Sequence, residues 1–305
     1  MSKVLVTGGA GFIGSHLVDK LVEMGHHVLV LDNLVNGKRE KVNPKAEFHQ
    51  IDICDFETMS LYFKDIDYVF HLAALPRVPL SIEDPVGTSK VNISGTINVL
   101  EAGKRTGVKR VINTSSSAVY GNQDKQPLQE NMTPNPISPY GLQKWVGEKF
   151  SKIYSELYGL PVVSVRPFNV FGPGIDVDSG YSSVLGRFLK LNSQNKPLTI
   201  DGDGEQTRGY CFVVDLVEAF ILAMGSQKIK GGEVINAGSD KAYSINYLAG
   251  LIGGEKIYGP ERPGDIRHTK ADISNAKELL GWEPKMSFDE GVKRTIEWFE
   301  NEKLT

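Results

Sequence analysis

One run of seven residues constrains this chain more than any other: Gly8-Gly9-Ala10-Gly11-Phe12-Ile13-Gly14. The apolar run Val4-Leu5-Val6 precedes it, and Ile13, Leu17, Val18 and Leu21 recur at helical spacing between Gly11 and Met24. The pattern predicts a strand over Lys3–Val6, a glycine turn and a helix. Gly8 allows the tight turn, Gly11 lets backbone approach a pyrophosphate, and Gly14 permits close helix–strand packing. The helix N-terminus favours the negative charge, with Phe12 and Ile13 inside the turn. A surface turn with a helix cap is the bland alternative. The strand–turn–helix context weighs against it.

The alternation continues. Strands are predicted at His27–Leu31, Phe48–Ile51, Tyr68–Leu72, Arg110–Thr114 and Val162–Arg166. Helices are predicted around Phe56–Lys64, from Pro85 to Ala102, and over Pro139–Tyr158 with Gly159 as a left-handed cap. Strands apolar on both faces that alternate with helices imply an α/β fold: a doubly wound parallel sheet of the Rossmann type. After Arg166, glycine, proline and charge increase. Residues 1–166 are therefore expected to form the dinucleotide-binding domain. Residues 167–305 are expected to form a smaller mixed α/β substrate domain, with a segment near 209–237 returning to the large one. Composition excludes other classes. Lys plus Arg is 34 against 37 Asp plus Glu, a formal charge of −3, which leaves no basic surplus for nucleic acid. No apolar run approaches the ~20 residues of a membrane helix. Two cysteines build neither a disulfide framework nor a zinc site, so no metal is expected. The first apolar run is too short for a signal peptide, and a cytoplasmic protein is expected.

Asp32 ends the second strand 18 residues after Gly14, with Asn33 next. A carboxylate there accepts bonds from a ribose diol and repels a 2′-phosphate, so NAD is expected over NADP. Asp52, before Ile53, either bonds the adenine amine or caps the next helix. Leu72-Ala73-Ala74 ends the fourth strand with small residues that leave a cofactor room. Tyr140 and Lys144 are four apart, on one helix face. The lysine cation, together with a positively charged nicotinamide, is expected to bring the phenol from about 10 towards working pH. Lys144 can also hold the nicotinamide ribose. Ser115-Ser116-Ser117 follows the fifth strand, where a hydroxyl can bridge a substrate alcohol to Tyr140. A serine-rich loop making local bonds is the alternative.

These motifs, with Val119-Tyr120-Gly121 and Arg166-Pro167-Phe168-Asn169-Val170-Phe171-Gly172-Pro173, resemble the extended short-chain dehydrogenase/reductases. More closely the chain resembles their nucleotide-sugar 4-epimerases, over about residues 3 to 300. The resemblance implies a Ser116–Tyr140–Lys144 site, a tightly held NAD, and a homodimer through helices near residues 86–103 and 139–158. It further implies C4 oxidation to a 4-keto sugar and reduction from the other face. Related dehydratases place an Asp-Glu pair after the catalytic hydroxyl, and related decarboxylases a glutamate. Ser117 and Ala118 stand there instead.

The resemblance also places a UDP-sugar. Asn169, Arg208 and Arg262 match diphosphate contacts, and Asp265 matches a carboxylate on the uridine ribose. The loop 73–81, containing Arg77 and Ser81, resembles epimerases that prefer UDP-N-acetylglucosamine. Thr269, four after Asp265, borders the sugar. A small residue there resembles enzymes that accept N-acetyl sugars, so UDP-GlcNAc/UDP-GalNAc is expected, alongside UDP-Glc/UDP-Gal. A UDP-glucuronate 4-epimerase, with Arg77 meeting the carboxylate, is the alternative. A net nucleotide-sugar oxidoreductase and a non-catalytic NAD-binding regulator are the others. Three positions depart from the family pattern: Gly209 replaces an aspartate, Asp201 an aromatic, and Leu251-Ile252-Gly253-Gly254 is shortened.

Overall fold

The computed structural model describes residues 1–178, 182–261 and 266–302. The first half runs β1 (Lys3–Thr7), α1 (Phe12–Glu23), β2 (His27–Asp32), β3 (Glu47–Gln50), α2 (Phe56–Ser60), β4 (Tyr68–His71), α3 (Val78–Glu83), α4 (Pro85–Ser89), α5 (Thr96–Thr106), β5 (Arg110–Thr114), α6 (Pro139–Tyr158) and β6 (Val162–Pro167). The second half runs β7 (Val170–Phe171), α7 (Val184–Ser193), β8 (Leu198–Asp201), β9 (Thr207–Arg208), β10 (Cys211–Phe212), α8 (Val213–Gly225), β11 (Val234–Ala237), β12 (Tyr243–Ser244), α9 (Ile245–Ile252), β13 (Lys256–Gly259), β14 (His268–Thr269), α10 (Ser274–Leu280) and α11 (Phe288–Glu302).

Seven strands form the main sheet in the order β11-β6-β5-β4-β1-β2-β3, and every pairing is parallel. Side chains alternate through it. Val4 and Val6 pack with Leu17, Val18 and Leu21 of α1 and Leu216 and Phe220 of α8 on one face. Leu5 packs with Met59, Phe63, Val99 and Leu100 on the other. Both faces are covered, which is why the strands read as unbroken apolar runs. The winding reverses between β1 and β4, so the carboxyl ends of those two strands open a crevice. The α8–β11 segment packs on this sheet, with β11 alongside β6. β7, α7, β8, α9 and α11 build a separate apolar cluster around Phe171, Phe188, Leu198, Ile200 and Phe288.

The expected helix from Pro85 to Ala102 is three pieces. α4 is capped by Asp84, and α5 begins only at Thr96; between them Lys90–Gly95 winds as a π turn. The turn buries Asn92, whose side chain bonds both backbone groups of Leu75 and the Gln143 side chain. Gly95 is pressed against Ile53, where a Cβ would stand 2.6 Å from Cδ1. The segment after Arg77, expected as loop, holds helix α3, with a proline in its first turn where no N–H is needed.

Candidate active site

The glycine turn is built as its spacing demands. Gly8 has φ +75°, and a Cβ on it would lie 2.6 Å from the Ala73 nitrogen. A Cβ on Gly14 would lie 2.1 Å from the Gly8 carbonyl oxygen. Gly11 caps α1 with no side-chain hydrogen bond to the first turn. The leading N–H groups of α1 therefore face the crevice without a protein acceptor, beside Phe12 and Ile13. Asp32 accepts from the Ala10 nitrogen at 3.0 Å and the Leu34 nitrogen at 2.8 Å, which fixes its carboxylate at the end of β2. These groups fit a dinucleotide: a cradle that any Cβ would fill, an uncapped helix start and a carboxylate fixed at the end of the adjacent strand.

Asn33 donates to Asp52 at 3.3 Å, and Asp52 accepts the Cys54 nitrogen at 2.8 Å. The helix-cap role left open for Asp52 belongs to Asp55, whose carboxylate accepts from Thr58. Ile53 is buried under Gly95. Leu72, Ala73 and Ala74 follow β4 half-buried. Sequence reasoning missed what supports them. Thr7 Oγ1 accepts from the Ala73 nitrogen at 3.3 Å and meets His71 Nδ1 at 2.8 Å, while His71 Nε2 meets Thr96 Oγ1 at 3.0 Å. Burial, aided by nearby Lys144, pushes His71 down to about 3, so the ring is neutral.

Ser138 caps α6 by accepting from Gly141, and this sets Tyr140 and Lys144 on the buried helix face, 8% and 7% exposed. Lys144 Nζ donates to the Thr114 carbonyl at 2.8 Å. Thr114 Oγ1 is buried without a partner beside it, a further polar group open to a cofactor. Ser116 accepts from the Ala118 nitrogen at 3.1 Å and opens a short 3-10 turn that begins at Ser117. Burial pushes the Tyr140 phenol up to about 12, and its hydrogen bond with Ser116 acts the other way. Burial lowers Lys144 to about 8, and the Glu148 carboxylate opposes that. In the protein alone, burial sets the direction at Tyr140.

The sugar side holds fewer of the expected contacts. Ser81 is fully buried, donates to the Val78 carbonyl at 2.7 Å and accepts from the Tyr140 nitrogen at 3.0 Å. These two bonds anchor the start of α6. Arg77 is ion-paired with Asp176 in the segment after β7. Asn169, at φ +34°, donates to the Gly209 carbonyl at 2.8 Å and to Thr269 Oγ1 at 3.3 Å. Thr269 is 5% exposed. Asn169 and Arg208 border a cleft of about 230 Å³ that Arg187, Asp201, Gln206 and Tyr210 also line. Asp201, in the aromatic's place, accepts from Arg187 at 3.3 Å. At Gly209 a Cβ would approach the Ser239 and Thr269 carbonyl oxygens at 3.2 and 3.3 Å; an aspartate there would set its carboxylate among carbonyls. Arg262 and Asp265 lie outside the described residues.

The profile of the NAD-dependent epimerase/dehydratase family matches residues 4–238. A UDP-glucose 4-epimerase from Thermotoga maritima, solved with UDP-glucose, is 40% identical, with 99% of each chain covered and a TM-score of 0.95. A UDP-N-acetylglucosamine 4-epimerase from Methanobrevibacter ruminantium, solved with UDP-N-acetylmuramic acid, is 38% identical over 99% of each chain, with a TM-score of 0.93. A UDP-glucuronate 4-epimerase from Thermodesulfobacterium geofontis is 37% identical over 98% of this chain and 96% of its own. Fold, glycine cradle, Ser–Tyr–Lys cluster and these matches agree: this chain is an NAD-dependent enzyme and belongs to the NAD-dependent epimerase/dehydratase family of extended short-chain dehydrogenase/reductases.

Proposed function

We propose that this enzyme interconverts UDP-sugars at C4, with the UDP-GlcNAc/UDP-GalNAc pair as its substrates. NAD, when bound, supplies reversible hydride acceptance. The chain's own part is proton handling and orientation. Tyr140 takes the proton of the C4 hydroxyl and later returns it. Ser116 bridges hydroxyl and phenol, and Lys144 lends the positive charge that makes the phenolate accessible. Gly8, Gly11 and Gly14 hold the pyrophosphate against α1, Asp32 holds the adenosine ribose, and Arg208 and Asn169 serve the sugar nucleotide's diphosphate.

The observation that carries the acetylated pair is Thr269. It is small, buried and bonded to Asn169 of the cleft wall, and its match to the family position that borders the sugar supports the acetylated pair. The glucuronate alternative relied on Arg77, and Arg77 is engaged with Asp176. Purified protein incubated with UDP-GlcNAc and no added NAD tests the proposal, with the anomeric protons followed by NMR. Growth of UDP-GalNAc signals to a stable mixture is expected; silence here with turnover of UDP-glucose or UDP-glucuronate would move the assignment to that sugar. Thr269→Tyr is expected to lower kcat/KM for the acetylated pair at least about tenfold more than for UDP-glucose, a margin of about 1.4 kcal/mol. Equal losses on both would remove the argument.

We propose further that the protein pairs with a second copy. α6 carries exposed Leu142, Ile153, Leu157 and Tyr158, and α4 exposes Val86, an apolar surface that suits such a partner.

A further inference from the structure

The buried face of α6 carries a third charged residue. Glu148 follows Lys144 by four positions, as Lys144 follows Tyr140, and is 5% exposed. Its Oε1 accepts from Arg166 Nε at 2.7 Å, and its Oε2 accepts from Arg166 Nη2 at 2.7 Å. Oε1 also accepts from the Ser115 hydroxyl. Residues 114–116 are thus tied to α6 at two successive turns, by Thr114 O to Lys144 Nζ and by Ser115 Oγ to Glu148. Arg166 is held in turn: its guanidinium lies 4.5 Å from the centre of the Tyr120 ring, and Tyr120 donates to Asn236 at 2.7 Å.

From this geometry we infer that Glu148 is a positioning residue for the proton transfer. It fixes Ser116 against Tyr140 by holding Ser115, and it keeps Lys144 cationic by lying one helical turn away. A buried ion pair is weak evidence for stability, since an apolar pair of similar volume is often as stable. Here the pair sits against both tethers of the catalytic loop. Among the described residues, the charged and titratable groups about Lys144 and Glu148 are Glu148 itself and Tyr140 on α6, His71 on β4, and Arg166 on β6, which bonds Glu148. Of these, only Glu148 supplies a negative charge. Burial lowers Lys144, and the carboxylate offsets part of that fall.

The inference rests on the proton-transfer role assigned to Tyr140 and Ser116, and its test keeps the two apart. Wild type, Glu148→Gln and Ser115→Ala are compared for retained NAD, for kcat and KM across pH, and for the Lys144 titration followed at its ε-carbon by NMR. Glu148→Gln keeps an acceptor for Ser115 and removes the charge. Its kcat is expected to fall at least about tenfold, with KM within twofold and NAD retained. The alkaline limb of kcat and the Lys144 titration are expected to move together to lower pH. Ser115→Ala keeps the charge; its kcat is expected to fall with neither midpoint moved. Should Glu148→Gln fail to fold, Glu148→Gln with Arg166→Met removes both buried charges; its kcat is expected to fall at least about tenfold with NAD retained, and full activity there overturns the inference in the same way. An unmoved Lys144 titration, or full activity in Glu148→Gln, overturns the inference. An inactive wild type overturns the assigned reaction instead.

Discussion

A phenol pushed up to about 12 is almost wholly protonated at neutrality and so a poor base, which makes what surrounds Tyr140 in the loaded site matter more than its identity. Its spacing from Lys144 was plain in the sequence, because i and i+4 share a helix face whatever the tertiary context. The sign of the shift was not, because desolvation depends on packing from other elements. Tyr140→Phe is expected to lower kcat by about 10³-fold, within the range general acid–base catalysis supplies, while the purified protein keeps its NAD absorbance. Near-normal turnover would remove Tyr140 from the reaction. His71 belongs to the same scale. It stays neutral when folded, with its ionisation pushed from 6.5 to about 3. Between those values the unfolded chain binds the extra proton and the folded one does not. The contribution is therefore complete above about 6.5 and is lost progressively as pH falls towards 3. Urea midpoints across pH 7 to 4 are expected to fall, and to fall less in His71→Gln, which cannot charge.

Elements were legible where one face or both faced a continuous core. β5 and α6 occupy the expected bounds; β1, β2, β4 and β6 differ by one residue at one end, and β3 is shifted by one residue at both. The 85–102 segment reads as one helix because its apolar periodicity survives the π turn. What breaks the α-helix is a long-range demand: Asn92 must reach the Leu75 backbone, and Gly95 must admit Ile53. The Gly8–Gly14 contact is the converse, a tertiary approach that the sequence did announce. Gly14→Ala places a methyl carbon against the Gly8 carbonyl, so the turn or α1 must shift. A loss of about 3 kcal/mol in urea unfolding is expected, and NAD should be lost on gel filtration. Retained NAD with unchanged stability would show that the turn relaxes freely.

At the scale of the whole molecule, no helix among the described residues is long and apolar enough to cross a membrane. The apolar stripe of α6 thus has a protein partner as its proposed cover. Ile153→Glu with Leu157→Glu is expected to halve the mass seen by light scattering while the far-UV spectrum is unchanged. An unaltered mass would move the interface elsewhere. By itself the sequence determined the dinucleotide cradle, the parallel sheet and the Tyr140–Lys144 pair. The turn and the pair lie within a few turns of chain, and the sheet announces itself through the local alternation of apolar strands with helices. Only the tertiary structure decided that Ser81 anchors α6, that Arg77 pairs with Asp176 and that Glu148 lies between Ser115 and Arg166. Those contacts join residues 18 to 99 positions apart. Burial and hydrogen bonding across such distances follow from how sheet and helices pack, and leave no periodic trace along the chain.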